Sequence, residues 1–318
     1  MMLPHMDGGT TSTAPADAPN ASPAPLSPHP DRLLPSDPAQ RAIARRLYES
    51  VRDLPLLSPH GHVDPATLAA DDPFPDPAAL LVTPDHYVTR LLHAHGVPLH
   101  ELGRPDRDGA PVAPPREVWR AFCSHWHHFL GTASRQWIES ELHDVLGVRV
   151  QPSAATADAL YDELVAKLAE PGMRPRALYE SFNLEVLATT DDPADDLRHH
   201  RALAADPSWS GRVIPTFRPD RYLDATSSDW PAALDRLAEA SGIDTGSYQG
   251  LVRALEARRD FFRENGATAT DHSAPDPEMA FLPEADAARL FDAVRKGEAA
   301  PEEARLLSRQ LLGENARM

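Results

Sequence analysis

The 318-residue sequence predicts an α/β protein of the (β/α)8 barrel type, with a helical insertion and with fewer strands than a closed barrel requires. Two observations lead to this prediction. In the second half of the chain, helical patterns alternate with short runs of apolar and β-branched residues, an order typical of βα crossovers and a parallel sheet. Polar side chains collect where those runs end, at the edge that forms the active-site face of such barrels.

The first part of the chain has the composition of a disordered segment. It is rich in proline, alanine, serine and aspartate and holds few large apolar side chains. Such a segment cannot bury enough apolar surface to offset the entropy of ordering it. We therefore predict a disordered Pro/Ala-rich leader over residues 1–36. A helix is predicted to follow, because Pro38 suits its first turn and Ile43, Leu47 and Val51 recur every four residues.

Four short apolar segments have the pattern of buried strands, at residues 54–59, 185–190, 213–217 and 267–270. A closed barrel needs eight strands, so residues 37–318 are predicted to form an incomplete barrel. From residue 66 to about residue 150 the sequence shows helical patterns without a repeated strand signal. We predict that this region is the helical insertion.

The composition limits which classes of binding partner and which cellular compartment are expected for this chain. The formal net charge is −17, which disfavours nucleic acid and anionic membranes because basic patches supply most of that affinity. A small-molecule ligand is the expected partner instead. Cys123 is the only cysteine, so no intrachain disulfide can form, and the sequence lacks a signal-peptide pattern and a membrane-length apolar run. These features predict a cytoplasmic location.

The stretch LLSPHGHVDP contains the most suggestive pair of residues. His60 and His62 stand at positions i and i+2 after a predicted strand, so their side chains are expected on one face, where both imidazoles could reach one metal ion. Two histidines alone make a weak site, and two loop histidines without a metal remain the alternative. A further ligand would have to come from elsewhere in the chain.

Polar residues also follow the second and third predicted strands. Asp191 and Asp192 come directly after one strand, and the pattern favours Asp192 as the cap of a helix opened by Pro193. Arg218 ends the next strand, where a guanidinium can bind a carboxylate through two hydrogen bonds. An ion pair with a nearby acid is the alternative for Arg218.

Two further groups are less specific. His86, Tyr87 and Arg90 lie within one predicted helical turn, which by itself is an ordinary amphipathic surface. The stretch FCSHWHHFLG gathers a cysteine and three histidines, but their spacing does not match a zinc finger. A half-buried helix with aromatic packing is the favoured interpretation of that stretch.

Taken in order, several segments resemble uronate isomerase (glucuronate isomerase), a divergent family of the amidohydrolase superfamily. These segments are SPHGHVDP, DHYVTRLLHAHGV, RQWIESELHDVLGV, NLEVLATTDDPADDLRHH, VIPTFRPD and ATATDHS, and the resemblance covers roughly residues 40–318. It implies a distorted, amidohydrolase-like (β/α)8 TIM barrel. It also implies isomerisation of hexuronates, from D-glucuronate to D-fructuronate and from D-galacturonate to D-tagaturonate.

The resemblance also implies roles for individual residues and a cofactor. His60 and His62 match the metal ligands of the first strand, and the implied cofactor is a divalent metal ion, with zinc as the expected one. His86, Tyr87 and Arg176 match positions taken as catalytic contacts with the substrate. Trp137 and Arg218 match recurring family positions and are expected in substrate binding.

The sequence departs from the family in length. Family members continue into later strands that carry a further histidine, a tryptophan and an aspartate ligand, so little turnover is expected from these 318 residues alone. An incomplete barrel would expose a strand edge and apolar helix surfaces, which favours association and allows a homo-oligomer. A metal-dependent hydrolase of the same superfamily and a non-catalytic fragment remain the alternatives.

Overall fold

The structure is a computed structural model, and it describes residues 23–105, 109–274 and 276–318. The chain divides into two compact units. Unit 1 contains the described residues up to Arg45 together with Phe74–Glu170, and unit 2 contains Arg46–Pro73 and Pro171–Met318. The helical insertion predicted for 66–150 overlaps the second segment of unit 1, and its bounds stay a prediction.

The described residues are mainly helical. The helices are, in chain order, α1 (Pro38–Val51), α2 (Pro65–Ala70), α3 (Pro77–Leu81), α4 (His86–Ala94), α5 (Pro115–Ser124), α6 (Ala133–Ser140), α7 (Ala157–Leu168), α8 (Pro175–Ser181), α9 (Arg198–Ala205), α10 (Asp220–Leu223), α11 (Trp230–Ser241), α12 (Tyr248–Glu264), α13 (Glu284–Arg295) and α14 (Pro301–Arg317). Short 3-10 turns occupy Leu99–Leu102, Trp126–Phe129 and Pro171–Met173, and a π-helical turn occupies Glu141–Val145. Within the described ranges, none of these helices combines the length and the apolar character that crossing a membrane requires.

A three-stranded parallel sheet forms the centre of unit 2. Its strands are β1 (Leu56–Ser58), β2 (Leu184–Ala188) and β3 (Val213–Ile214), in the spatial order β1-β2-β3. The register pairs residues 58 and 187 across β1 and β2, and residues 187 and 213 across β2 and β3. The sheet confirms the α/β class and the parallel direction, and each strand overlaps a segment predicted from the sequence, with β2 beginning one residue earlier than predicted.

The pairing continues beyond β3 as single parallel bridges. Phe217 pairs with Asp191 on one side and with Thr270 on the other, so the fourth predicted strand segment, 267–270, contacts the sheet at its last residue. Within the described residues the sheet holds three strands, and a closed eight-stranded barrel stays a prediction.

Helix packing supplies the core of unit 2. On α12, Leu251, Leu255 and Phe262 are all buried, at spacings of four and seven residues that place side chains on one helix face. They pack in one cluster with buried leucines of α11 and with Phe291 of α13. Ser247 caps the N-terminus of α12, because its hydroxyl accepts a hydrogen bond from the Gly250 amide at 3.1 Å.

Unit 1 buries its own set of aromatic and aliphatic residues. Trp119 and Phe122 of α5 are fully buried, with ring centroids 5.2 Å apart. The indole nitrogen of Trp119 donates to the Ala157 carbonyl at the start of α7, at 3.0 Å, which satisfies the one polar atom of this side chain.

The leader predicted for 1–36 is wrong in its last part. Residues 1–22 lie outside the described residues, but Leu26 is buried, and its amide donates to the Arg149 carbonyl at 2.8 Å. Pro25 forms an antiparallel bridge with Val150. The composition of the segment suggested disorder, but one leucine and two backbone hydrogen bonds are enough to fix it against a neighbouring segment of unit 1.

The helix start predicted at Pro193 is also wrong, because α9 begins at Arg198. The acids of the DDPADD stretch instead form Asx turns: Asp192 accepts from the Ala194 amide at 2.9 Å, and Asp195 accepts from the Leu197 amide at 2.6 Å. Such turns offer the backbone an alternative to the helix. Asp192 therefore shapes a loop and does not cap α9.

Candidate functional site

The two histidines of the HGH stretch lie in the loop that follows β1. Their ring centroids are 4.9 Å apart and the rings are nearly perpendicular. The loop is fixed to the neighbouring strand, because the hydroxyl of Thr190 donates to the Gly61 carbonyl at 2.7 Å. A Cβ atom at Gly61 would stand 3.2 Å from the Ala188 carbonyl oxygen, so the central glycine permits this close approach. The structure thus places His60 and His62 side by side in this loop.

Arg218 lies beside this loop, in a chain of charged groups. Its Nη1 is 2.9 Å from Oδ2 of Asp271, and its Nε donates to Asp220 at 2.8 Å. The hydrogen bond to Asp220 is the main cause that raises the pKa of Arg218. The same oxygen of Asp271 is 3.9 Å from Nδ1 of His60. Asp271 therefore lies between Arg218, which follows the third strand, and His60, which follows the first strand.

His272 extends this group of residues. Its Nδ1 is 3.9 Å from Asp220, and its Nε2 accepts a hydrogen bond from the Asn315 amide at 3.0 Å. Burial is the main cause that lowers the pKa of His272, although Asp220 and Asp271 act in the opposite direction. The ring is consequently held as a neutral imidazole that fixes α14 to the strand-end region.

Three of the predicted site residues lie together in unit 1. The rings of His86 and Tyr87 have centroids 4.2 Å apart, and Tyr87 meets Trp137 edge to face at 5.8 Å. Asp85 caps the N-terminus of α4, because its carboxylate accepts a hydrogen bond from the Tyr87 amide at 2.7 Å. His86 and Tyr87 are exposed and Trp137 is half-buried. Together they form an aromatic surface of unit 1.

Glu141 is a residue of unit 1 that the sequence analysis missed. Burial, followed by repulsion from Asp85, raises its pKa to about 7. It begins the π-helical turn, four residues after Trp137, and such turns are frequent at functional sites. The spacing from Trp137 was visible in the sequence, but the burial that raises the pKa was not.

The guanidinium of Arg176 is hydrogen-bonded to other groups of the protein. Its Nε donates to the Leu68 carbonyl at 2.8 Å, and its Nη1 binds Asp206 at 2.6 Å. Its Nη2 donates to the Ala69 carbonyl at 3.3 Å. The guanidinium therefore holds the end of α2, and its contacts give no support to the catalytic role that the resemblance implied. The sequence alone could not reveal these partners, because Asp206 lies 30 residues away and the two carbonyls lie 107 and 108 residues away.

We expect Arg176→Met to lower the free energy of unfolding by about 1–3 kcal/mol, because two carbonyls would lose their donor. Arg174→Met is the matched control, since Arg174 is exposed and makes one hydrogen bond to the Asp71 carbonyl at 3.2 Å. Urea unfolding of both variants measures the difference. Equal stability of wild type and the Arg176 variant would show that these contacts are not structural.

A buried polar group behind the strand ends was also missed. The hydroxyl of Thr189 lies 2.7 Å from Oδ2 of Asp191 and 2.8 Å from Nε2 of His200. The Thr216 amide donates to the same oxygen of Asp191 at 3.1 Å. The signal in the sequence was that His200 stands three residues from Leu197 and from Leu203, on the apolar face of α9.

The histidines of the FCSHWHHFLG stretch pack on one another in unit 1. His127 and His128 have ring centroids 4.0 Å apart, and His128 stacks on His95 at 3.8 Å. Burial and the neighbouring imidazoles lower the pKa of His128, and burial raises the pKa of the Cys123 thiol. Across the described part of the chain, no group of three or more His, Cys, Asp or Glu side chains could hold a metal ion. Aromatic packing, as predicted, accounts for this stretch.

The fold and the strand-end residues define an α/β protein with its polar groups at the carboxyl edge of a parallel sheet, the class in which ligands bind at that edge. A model of the family described as glucuronate isomerase matches residues 38–314. The chain belongs to this family, as its resemblance in sequence indicated.

Individual relatives agree with the family match. The chain is 48% identical over 294 residues to a uronate isomerase of Phenylobacterium zucineum, a match that covers 92% of the chain and 61% of the relative. It is 47% identical over 290 residues to a uronate isomerase of Rhizobium meliloti, covering 91% of the chain and 62% of the relative. The chain thus spans about 61% of the length of the curated relatives that it matches.

Two solved structures share the fold. The glucuronate isomerase from Caulobacter crescentus superposes with a TM-score of 0.88 at 43% identity, over 92% of this chain and 61% of that one. The uronate isomerase from Thermotoga maritima gives a TM-score of 0.81 at 27% identity, over 90% and 60% of the two chains. Both superpositions extend through nearly all of the described residues, so they support the fold in both units.

Proposed function

We propose that this chain carries the active-site region of a hexuronate isomerase, which interconverts D-glucuronate with D-fructuronate and D-galacturonate with D-tagaturonate. The observation that supports this most is the strand-end group of unit 2, in which His60, His62, Arg218 and Asp271 lie together. The family match supports the same reaction. The arrangement of the strands as an incomplete TIM barrel, a cytoplasmic location and a homo-oligomer belong to this proposal as well.

The proposed cofactor is a divalent metal ion, with zinc as the first candidate. Two imidazoles are suitable zinc ligands, and His60 and His62 are close enough to share one ion. They fit only part of a ligand set, since the residues that the structure describes contain no group of three that could hold an ion. A bound ion would polarise the oxygens of the sugar.

The reaction moves a proton between C2 and C1 and another between the two oxygens, so it needs an acid/base group and a group that stabilises the enediolate. The resemblance to the family points to His86 or Tyr87 for the acid/base step. Asp271, whose Oδ2 lies 3.9 Å from Nδ1 of His60, is suited to orienting that metal-binding ring. Arg218 is the cation of this group. Its charge is shared by Asp220 and Asp271, so an incoming sugar carboxylate would have to replace one of them.

The aromatic surface of unit 1 is proposed as a sugar contact in its own right. Tyr87 offers a hydroxyl and a ring face, and Trp137 meets it edge to face. His86 adds a second ionisable group beside Tyr87. Arg176 is left out of the proposed machinery, because its guanidinium is bound to α2 and to Asp206.

Binding is the decisive test, because the chain spans about 61% of its relatives. We expect purified chain with zinc to bind D-glucuronate in calorimetry, and His60→Ala with His62→Ala to weaken that binding at least about tenfold. Zinc content, measured in parallel, should fall in the double variant. His127→Ala is the control, since it removes an exposed histidine of unit 1.

Product analysis separates the reaction classes. Conversion of D-glucuronate to D-fructuronate by the zinc-loaded chain would support the isomerase. Release of product from an amide or ester substrate, without sugar isomerisation, would favour the hydrolase alternative. Equal sugar binding and equal zinc content in wild type and the double variant would refute the assignment of both histidines.

A further inference from the structure

The three residues that follow β2, residues 189–191, are hydrogen-bonded to two other strand-end segments of unit 2. On one side, the hydroxyl of Thr190 donates to the Gly61 carbonyl of the HGH loop (residues 60–62) at 2.7 Å. On the other side, Asp191 is bonded to the segment 216–218, which ends with Arg218. Residues 189–191 therefore set where the HGH loop lies relative to Arg218.

Asp191 makes three hydrogen bonds to the segment 216–218. Its amide donates to the Thr216 carbonyl at 3.0 Å, and its carbonyl accepts a hydrogen bond from the Arg218 amide at 3.0 Å. The side chain adds the third bond, because its Oδ2 accepts from the Thr216 amide at 3.1 Å. The carboxylate of Asp191 thus supports the backbone two residues before the guanidinium of Arg218.

The side chain of Asp191 is held in turn by two other buried side chains. The hydroxyl of Thr189 donates to Oδ2 of Asp191 at 2.7 Å and lies 2.8 Å from Nε2 of His200. The same Nε2 is 3.7 Å from Oδ1 of Asp191. All three residues are buried, so water does not compete for these contacts. The hydroxyl of Thr189 therefore joins α9 to the carboxylate that supports the Arg218 segment.

We propose that Thr189, Asp191 and His200 are positioning residues of the isomerase, which hold the backbone of Arg218 in a fixed place beside the HGH loop. This role rests on the proposed function, in which Arg218 meets the carboxylate of the sugar. A guanidinium binds a carboxylate best through two parallel hydrogen bonds, so a displacement of about 1 Å weakens the pair. The three residues act on the sugar through Arg218 and need no contact of their own.

Thr189→Val tests this role, because valine keeps the shape of threonine and removes the hydroxyl that contacts Asp191 and His200. We expect hydrogen exchange of the Arg218 amide to accelerate at least about tenfold relative to that of the Leu187 amide, which lies in the same sheet. A general loss of stability would accelerate both amides alike. Thr189→Ser returns the hydroxyl and should restore the wild-type ratio.

Thr245→Val is the matched control. Thr245 is another buried threonine of unit 2, and its hydroxyl donates to the Leu234 carbonyl at 2.9 Å. This variant makes the same chemical change at a site without contact to Arg218. The exchange ratio of the Arg218 and Leu187 amides should therefore stay at its wild-type value.

Calorimetry in the presence of zinc tests the link to the substrate. Thr189→Val should weaken the binding of D-glucuronate at least about tenfold. The binding of D-glucuronamide, the neutral counterpart, should weaken much less, because only the carboxylate depends on the charge of Arg218. An equal loss for both ligands, or an equal loss in Thr245→Val, would assign the three residues to stability alone and overturn the proposal.

Exchange and binding distinguish this proposal from the proposed function. An unchanged exchange ratio in Thr189→Val would overturn the positioning role, whatever the chain binds. If the wild-type chain with zinc does not bind D-glucuronate, the proposed function is refuted, and the exchange ratio alone decides whether the three residues position Arg218. If Thr189→Val fails to fold, Thr189→Ala takes its place, because it removes the hydroxyl without putting a new methyl group beside the carboxylate.

Discussion

Replacing Arg258 by methionine is expected to lower the free energy of unfolding by about 3–5 kcal/mol, because three carbonyls would lose the buried guanidinium that donates to them. Arg258 lies on α12 and is only 7% exposed. Its Nε donates to the Pro193 carbonyl at 2.6 Å, and its Nη2 donates to the Asp195 carbonyl at 2.7 Å. Its Nη1 donates to the Ala240 carbonyl at 3.3 Å.

The same variant should loosen the DDPADD loop. Arg258 is the side chain that fixes two of its carbonyls, and a methionine in its place would fill part of the space without any donor. Amide hydrogen exchange of residues 194–197 should therefore accelerate under native conditions. Urea unfolding followed by circular dichroism measures the change in global stability.

Arg263→Met serves as the control for this prediction, since Arg263 lies on the same helix and forms an exposed ion pair with Asp260 at 2.9 Å. Its removal should change the stability by less than about 1 kcal/mol. Similar losses in the two variants would show that the arginine stem on α12 matters and the buried donors do not.

Helix positions could be predicted from the sequence better than helix environments. The periodicity of Ile43, Leu47 and Val51 located α1 correctly, yet these residues are 51%, 64% and 52% exposed. A repeat of apolar residues shows which face of a helix is apolar, but it carries no information on what covers that face. The same limit applies to β1, where Leu56 and Leu57 are exposed on an edge strand.

The same limit applies to the candidate site: the positions of several residues could be predicted from the sequence, but the contacts of others could not. His60, His62 and Arg218 could be located because each follows an apolar strand segment, and the carboxyl ends of parallel strands meet at one edge. The partners of Arg176 could not, because they depend on how α2 and α8 pack. The resemblance to the family supplied the position of Arg176 without its contacts, and here the contacts favour a structural role.

We predict that Glu141 makes the free energy of unfolding depend on pH. Its pKa is raised from the ordinary 4.5 to about 7 in the folded chain, mainly by burial. Between these two values the folded state holds a proton that the unfolded state has released. The stabilising contribution is therefore complete below the unfolded pKa and is lost as the pH rises through about 7.

We expect the stability to fall by about 2–3 kcal/mol between about pH 5 and about pH 8 through this group alone, since one pKa unit corresponds to about 1.4 kcal/mol. Glu141→Gln replaces the carboxyl by a neutral amide of similar shape and should remove this component. The difference between wild type and variant, measured by urea unfolding at both pH values, isolates the contribution of Glu141 from that of all other groups.

Glu163→Gln is the matched control, because Glu163 is exposed on α7 of the same unit. Its pH profile should follow that of wild type.

If the wild-type and Glu141→Gln profiles stay parallel across the range, Glu141 is ionised at neutral pH, and the carboxyl beside the aromatic surface would then be a fixed negative charge. If the profiles diverge as expected, the surface formed by His86, Tyr87 and Trp137 lies one helical turn from a carboxyl that exchanges its proton near neutral pH. Such a group is suited to proton transfer, because its two forms are then similar in free energy.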